Sequence, residues 1–443
     1  MIERYKQRIS ERFFLPIQQF MKQEKAGGIV LGLSVVVALV IANSPMREAW
    51  AHIFEQHFGF VFGGKTYFDF SLEHWINDGL MSLFFFVVGL ELKREFISGE
   101  LREVKKVLLP IGAAIFGMVV PSVIYLIFNH GTEAAGGWGI PMATDIAFAL
   151  AVIYMLGSRV PMAVKVFLTT LAIVDDIGSV LVIAFFYTSS ISVADLLTGF
   201  GFLLLMFGAN KMGVKNIWFY AIVAIVGVWA SFLVSGIHAT ISAVLAAFMI
   251  PADAALSEKD FLARMRGHHD EFEEAEGNEF PTLEDEQLHI VASVRRDATR
   301  AMPPLQRLEH TLHPFVSFVI MPIFALSNAG VTFIGMDEAS VADGGVAIGV
   351  MLGLLLGKPI GVVLSVMLME KMGIGRMPDG MTRRHLLGVG FLASIGFTMS
   401  MFVTTLAFSD PMAHVQAKVG ILAASVIGGL VGYAILSRCG NKA

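Results

Sequence analysis

Apolar runs of about 20 residues recur along this chain, each followed by a short polar joint. A helix of that length crosses the hydrocarbon core of a bilayer, which is roughly 30 Å thick. Inside that core every backbone N–H and C=O must be bonded within the protein, so only helices and closed barrels can span it. A barrel strand would show about ten residues of alternating polarity, and these runs do not alternate. Composition agrees: 55% of residues are hydrophobic and 16% charged, where a soluble domain is usually about 25% charged. The pattern predicts an all-α integral membrane protein with twelve transmembrane helices, at 24–43, 74–97, 107–128, 138–157, 164–187, 193–210, 216–232, 235–250, 311–329, 346–369, 385–407 and 414–437.

Lysine and arginine order these spans across the membrane. The N-terminal segment carries six, and the joint after span 2 carries five: Lys93, Arg94, Arg102, Lys105 and Lys106. Later joints on that side carry two, two, seven and four, and the C-terminal tail two. The opposite joints hold Arg47 and Lys65, with Lys418 at the mouth of span 12. Positive charge stays on the cytoplasmic side, so both termini are expected there. The chain reads as a single membrane domain, 1–443. Its one cysteine, Cys439, excludes an intrachain disulfide framework.

Three segments stand outside the spans. Residues 1–22 read as an interfacial amphipathic segment. Residues 58–70, "FGFVFGGKTYFDF", alternate aromatic residues around Gly63-Gly64, the pattern of a β-hairpin. On the outer face such a hairpin is either an ordered loop or an edge for pairing with a second subunit. Residues 251–306 form a long cytoplasmic loop, strongly acidic at "HHDEFEEAEGNEF", expected to be a flexible connector. His268-His269 in it carry no convincing metal signature.

Few ionisable residues remain at depth: Asp78 in span 2, Asp145 in span 4, Asp175 and Asp176 in span 5, and Lys358 in span 10. An aspartate at the centre of a span costs roughly 2.5–3.5 kcal/mol on insertion scales. Such charges face a bundle interior or wet cavity and pair with one another. The cluster reads as an ion pathway, or else as a polar lock between helices. Successive residues on a helix point about 100° apart. One of Asp175 and Asp176 can therefore pair with Lys358 while the other faces a cavity. Ala172 and Ser179, small or polar, lie one turn to either side.

Gly349, Gly353, Gly357 and Gly361 form a small-residue stripe beside Lys358, along which another helix can approach closely. Pro359 deprives a carbonyl one turn earlier of its donor. Spans 4 ("GGWGIPMATDIAFAL") and 11 ("LLGVGFLASIGFTMSMF") are interrupted by glycine, and span 4 by Pro141 as well. Interruptions in corresponding spans point to broken helices within inverted repeats, here spans 3–5 and 10–12. Asp145 and Lys358 have the signs needed to balance the exposed helix dipole ends.

Carboxylates and hydroxyls suit a sodium-sized hard cation, and Asp175, Asp176 and Thr144 supply them. Carboxylates also take protons, so one site can exchange the two. The ordered motifs "ATDIAFAL", "LAIVDDIGSVLVIA", "SGIHATISAVL", "LSNAGV", "GKPIG" and "GFTMSMF" together resemble the NhaA-type sodium/proton antiporters of bacterial inner membranes. The resemblance covers nearly the whole chain. It implies electrogenic exchange of sodium or lithium for protons, serving pH and sodium homeostasis, with no enzymatic step and no cofactor. It implies Asp176 as the main cation ligand, with Asp175 alternating between a Lys358 salt bridge and a proton. Thr144 becomes a further ligand, and Asp145 lies between the broken helices. It also implies activation at alkaline pH through Glu91, Arg94, Glu95, Glu309, His310, His313 and His238. The expected partners are lipid, the transported ions and, through the hairpin, a second copy of the chain; no nucleic acid is expected.

Two other readings are weaker. An intramembrane aspartyl protease needs GxGD and PAL motifs, which this sequence lacks. A sodium-coupled symporter needs an organic-substrate pocket, for which the sequence has no specific sign.

Overall fold

The computed structural model describes residues 24–63, 65–102, 104–188, 192–275, 280, 282–332 and 345–439. The expected interfacial segment at 1–22 lies outside them. In chain order come α1 (Glu24–Ala42) and α2 (Arg47–Glu55), then strands β1 (His57–Phe62) and β2 (Lys65–Ser71). Next are α3 (Leu72–Ser98) and α4 (Val104–Asn129), a 3-10 segment (Glu133–Met142), α5 (Ile146–Met155), α6 (Met162–Phe186) and α7 (Val193–Lys211). They are followed by α8 (Ile217–Ser235), α9 (Ala239–Met249), α10 (Glu258–Glu274), α11 (Asp285–Ala301) and α12 (Pro304–Asn328). The last are α13 (Gly345–Lys371), α14 (Arg383–Ala393), α15 (Phe397–Ala407) and α16 (Pro411–Arg438).

Among the described residues nine helices are long and apolar enough to cross a membrane, or up to eleven if each of two bent pairs counts as one crossing. The pairs are α1 with α2, bent by 114°, and α14 with α15, bent by 44°. In the predicted eighth span at 235–250, Ser235 still belongs to α8 and the span's own helix is the 11-residue α9. Gly236 at φ 85° ends the preceding helix. Eleven residues rise about 16 Å, well short of a full crossing.

The chain divides into two compact units, one within Met1–Phe84, Glu95–Ser190 and Pro314–Ala443, the other within Phe85–Arg94 and Ile191–His313. In the first unit the aromatic alternation forms the antiparallel hairpin β1–β2. The register slips between Phe58↔Phe70 and Phe60↔Tyr67, a bulge that leaves Phe68 at φ 54°. Trp75 Nε1 donates to Phe58 O at 3.0 Å and ties the hairpin to α3. Phe60 and Val61 stay exposed.

The glycine stripe of α13 lies against α4. A Cβ on Gly357 would stand 2.7 Å from Pro121 Cα, so only glycine permits this approach. Just before Lys358 the helix widens into one π turn, Gly353–Gly357, closed by Lys358 N–H on Gly353 O. That wider turn accommodates the donor missing at Pro359. The 3-10 segment is held by two tyrosines. Tyr187 Oη accepts from Gly139 N at 3.0 Å and donates to Gly136 O at 2.8 Å, while Tyr125 Oη donates to Ala134 O at 2.7 Å. A Cβ on Gly139 would lie 2.6 Å from the Tyr187 hydroxyl.

The second unit has its own core, in which Leu203 and Met206 of α7, Tyr220, Val228 and Phe232 of α8, and Ala246 and Ala247 of α9 pack with Leu90. Lys93 Nζ donates to Phe248 O at 2.7 Å and also to Ile250 O, satisfying carbonyls at the end of α9. The acidic stretch suggested a flexible connector, yet much of 251–306 is the helix pair α10 and α11. Ser257 caps α10 through Asp260 N, and Glu284 N donates to Gln287 Oε1 at the start of α11. Between the helices Asp297, 5% exposed, faces Arg264 at 3.4 Å and His268 at 3.2 Å. Burial pushes the Asp297 carboxyl up, but these two neighbours outweigh it and hold it below the usual carboxylate range.

Candidate functional site

The candidate site lies in the first unit, where two chain breaks meet. After the 3-10 segment the chain is non-helical at Ala143, Thr144 and Asp145, extended at Ala143 and Asp145, before α5 begins. Between α14 and α15 it leaves the helix at Ser394–Gly396. Breaks free backbone groups that need other partners, and here each break serves the other. Asp145 N donates to Ile395 O at 2.6 Å, and Thr144 Oγ1 donates to Ala393 O at 2.8 Å. Ser400 Oγ of α15 reaches Ile140 O at 2.8 Å.

Asp145 caps two helices at once. Its Oδ1 accepts from Phe148 N, 3.0 Å away in α5. Its Oδ2 accepts from Thr398 N at 3.0 Å and Thr398 Oγ1 at 2.5 Å, in the first turn of α15. A carboxylate between two helix N-termini is stabilised by the orphan donors and by both positive dipole ends. Both carboxylate oxygens are engaged, so Asp145 is structurally committed.

Lys358 reaches the same crossing from α13. Its Nζ lies 2.5 Å from Asp175 Oδ2 and 2.9 Å from Thr144 Oγ1. Lys358 and Asp175 are both fully buried, and Asp176 is 1% exposed. An isolated buried charge is expensive, and an opposite charge in hydrogen-bond contact offsets much of that cost. The Thr144 hydroxyl passes the interaction on, accepting from Lys358 and donating to Ala393 O at the end of α14. Asp175, Lys358 and Thr144 thus form one hydrogen-bonded set, and Asp145 is the next residue in the chain after Thr144. Asp176 follows Asp175 on α6, turned about 100° from it.

The residues expected to respond to pH stand elsewhere. Arg94 Nε and Glu309 Oε1 form an ion pair at 3.0 Å in the second unit. His310 and His313 are exposed on α12. His238 is the residue before α9. Glu91 and Glu95 lie four residues apart on α3, both partly buried. Thr398 and Ser400 were not singled out from sequence, although the motif "GFTMSMF" contains both.

The chain matches the family described as Na+/H+ antiporter 1 over residues 18–436. A protein of Oleidesulfovibrio alaskensis named Na(+)/H(+) antiporter NhaA is 45% identical over 432 residues, covering 96% of this chain and 94% of that one. Relatives with the same name from Wolinella succinogenes (44% identical over 431 residues, 96% and 93% covered) and Helicobacter pylori (43% over 431, 97% and 97%) are similar at like length. Over nearly its whole length, then, this chain belongs to the Na+/H+ antiporter 1 family.

Proposed function

We propose that this protein exchanges sodium, or lithium, for protons across a bacterial inner membrane. The observation that carries the reading is the buried Asp175–Lys358 pair at the crossing of two broken helices, in a chain belonging to this family. The cycle is a competition. Asp176 is the main cation ligand, assisted by Asp175 and Thr144. With the cation gone, Lys358 pairs with Asp175, and protons occupy the carboxylates on the way back. Asp145 and Lys358 balance the charges of the helix ends. No covalent bond of a substrate changes and no cofactor takes part.

The exchange is electrogenic. If both carboxylates carry protons while a single sodium ion returns, each cycle moves one net charge; a proton carried by Lys358 gives the same sum. Activity rises at alkaline pH through Glu91, Arg94, Glu95, Glu309, His310, His313 and His238. The chain works as one transport domain of twelve transmembrane helices, the eighth of them the short α9 with non-helical residues completing its passage, and with both termini cytoplasmic. Its inverted repeats are spans 3–5 and 10–12, and its outer hairpin joins two copies.

Sealed proteoliposomes test this reading. A sodium gradient should drive a pH change, and an imposed potassium-diffusion potential should alter its rate at fixed sodium and pH gradients. No sodium-driven pH change refutes antiport, and a voltage-indifferent rate and equilibrium refute the electrogenic cycle.

A further inference from the structure

We propose that Ser179 supplies an oxygen ligand to the transported cation and sets its selectivity; this rests on the antiport reading and adds a residue to its site. Ser179 lies on α6, three residues after Asp176 and four after Asp175. At about 100° per residue, Asp175 stands at 0°, Asp176 at about 100° and Ser179 at about 40° around the helix. Its direction falls between the two carboxylates. Side chains on a helix lean toward its N-terminus, so the Ser179 hydroxyl tips back over the turn that carries both aspartates. On the other side Ala172, at about 60°, is fully buried and offers only a methyl group. The space between the carboxylates is thus bounded by one small apolar residue and one hydroxyl.

The hydroxyl is also available. Ser179 is 1% exposed, and its Oγ has no hydrogen-bond partner among the described residues. Serine and threonine inside a helix commonly donate to the carbonyl four residues earlier. Ser122 does so to Met118 O at 2.8 Å, Thr169 to Lys165 O at 3.0 Å and Thr404 to Ser400 O at 2.8 Å. Ser179 does not take that bond. A buried hydroxyl without a partner costs about 1–3 kcal/mol, and a hard cation between the carboxylates offers its oxygen the partner it lacks. Asp175 is engaged by Lys358, and the Thr144 hydroxyl by Lys358 and Ala393. Ser179 is therefore, beside the carboxylates themselves, a hydroxyl oxygen that binds without first breaking a bond to the protein, as the Thr144 hydroxyl cannot.

The test compares the intact protein with Ser179→Ala, Ser179→Thr and Ser179→Cys in proteoliposomes. Half-saturating sodium should rise roughly tenfold in Ser179→Ala, the size of one lost contact to a charged group. The rate at saturating sodium should change much less. Ser179→Thr keeps the hydroxyl and should restore affinity, whereas the soft thiol of Ser179→Cys should not. The ratio of sodium to lithium half-saturation should shift in Ser179→Ala. Its melting temperature without sodium should not fall, because no protein hydrogen bond is lost, while the stabilisation added by sodium should shrink. Unchanged half-saturation in a folded Ser179→Ala protein overturns the ligand assignment, as does a drop in sodium-free melting with unchanged affinity. If the unaltered protein moves no protons in response to sodium, the antiport reading itself fails.

Discussion

Lys358 and Asp175 meet at 2.5 Å with side chains 1% and 0% exposed, 183 residues apart in the chain. Such a pair contributes little net stability against a well-packed apolar core, but breaking it leaves a buried charge alone. Asp175→Asn and Lys358→Ala should each lower stability by roughly 3–5 kcal/mol. Thermal melting of the purified variants checks this, and unchanged melting in both would argue against the pair.

Asp176→Asn should abolish exchange while the protein still folds and inserts. An amide is neither a negative ligand nor a proton carrier in this range. Sodium-dependent proton movement by well-folded Asp176→Asn protein would remove Asp176 from the cycle.

Thr398→Val should destabilise the crossing by about 1–3 kcal/mol, since the Asp145 carboxylate loses a buried hydroxyl donor and keeps the two backbone ones. Thr398→Ser keeps the hydroxyl and should recover most of the loss. Melting curves of the two variants decide it; equal curves would mean that the hydroxyl contributes nothing.

The Arg94–Glu309 pair is part exposed, with 36% and 13% of the side chains accessible. Glu309→Gln removes one charge and leaves the buried Asp175 set intact. The activity–pH profile should move along the pH axis without loss of the maximal rate, and Glu91→Gln and His238→Ala should do likewise. Three profiles identical to the unaltered protein's would exclude these groups from pH control.

The α10–α11 pair should loosen in acid. The Asp297 carboxyl titrates lower in the folded chain than in the unfolded one. Its contribution is therefore present above about pH 4 and is lost as pH falls through the folded value. Hydrogen exchange of amides in 258–301, corrected for intrinsic rates, should be faster in Asp297→Asn than in the unaltered protein at pH 7. The difference should shrink toward pH 3; a difference independent of pH would refute the role of the charge.

Much of this architecture is legible in sequence because a bilayer permits so little else. Runs such as those of α6 and α16 can only be helices, and a lysine as deep as Lys358 needs a carboxylate nearby. Other features leave weaker traces. The hydroxyls of Thr398 and Ser400 cost little in any helix, so nothing marks them as partners for the distant Asp145 and Ile140. Gly139 reads as a break, yet its structural task is to receive the Tyr187 hydroxyl. The acidic residues of 251–306 suggest solvation, while the helix pair depends on caps and on one buried aspartate whose partners lie 29 and 33 residues away.

The bond between Asp145 and Thr398 spans 253 residues. A ribosome adding about 5–20 residues per second needs roughly 10–50 s to cover that interval. During that time Asp145 is already made and its second cap is not. The nascent N-terminal half therefore holds a carboxylate with one oxygen, Oδ2, that only the last third of the chain satisfies. Assembly of the crossing must follow the arrival of α15, so a chain truncated before it would reach the bilayer with Asp145 still waiting for its second helix.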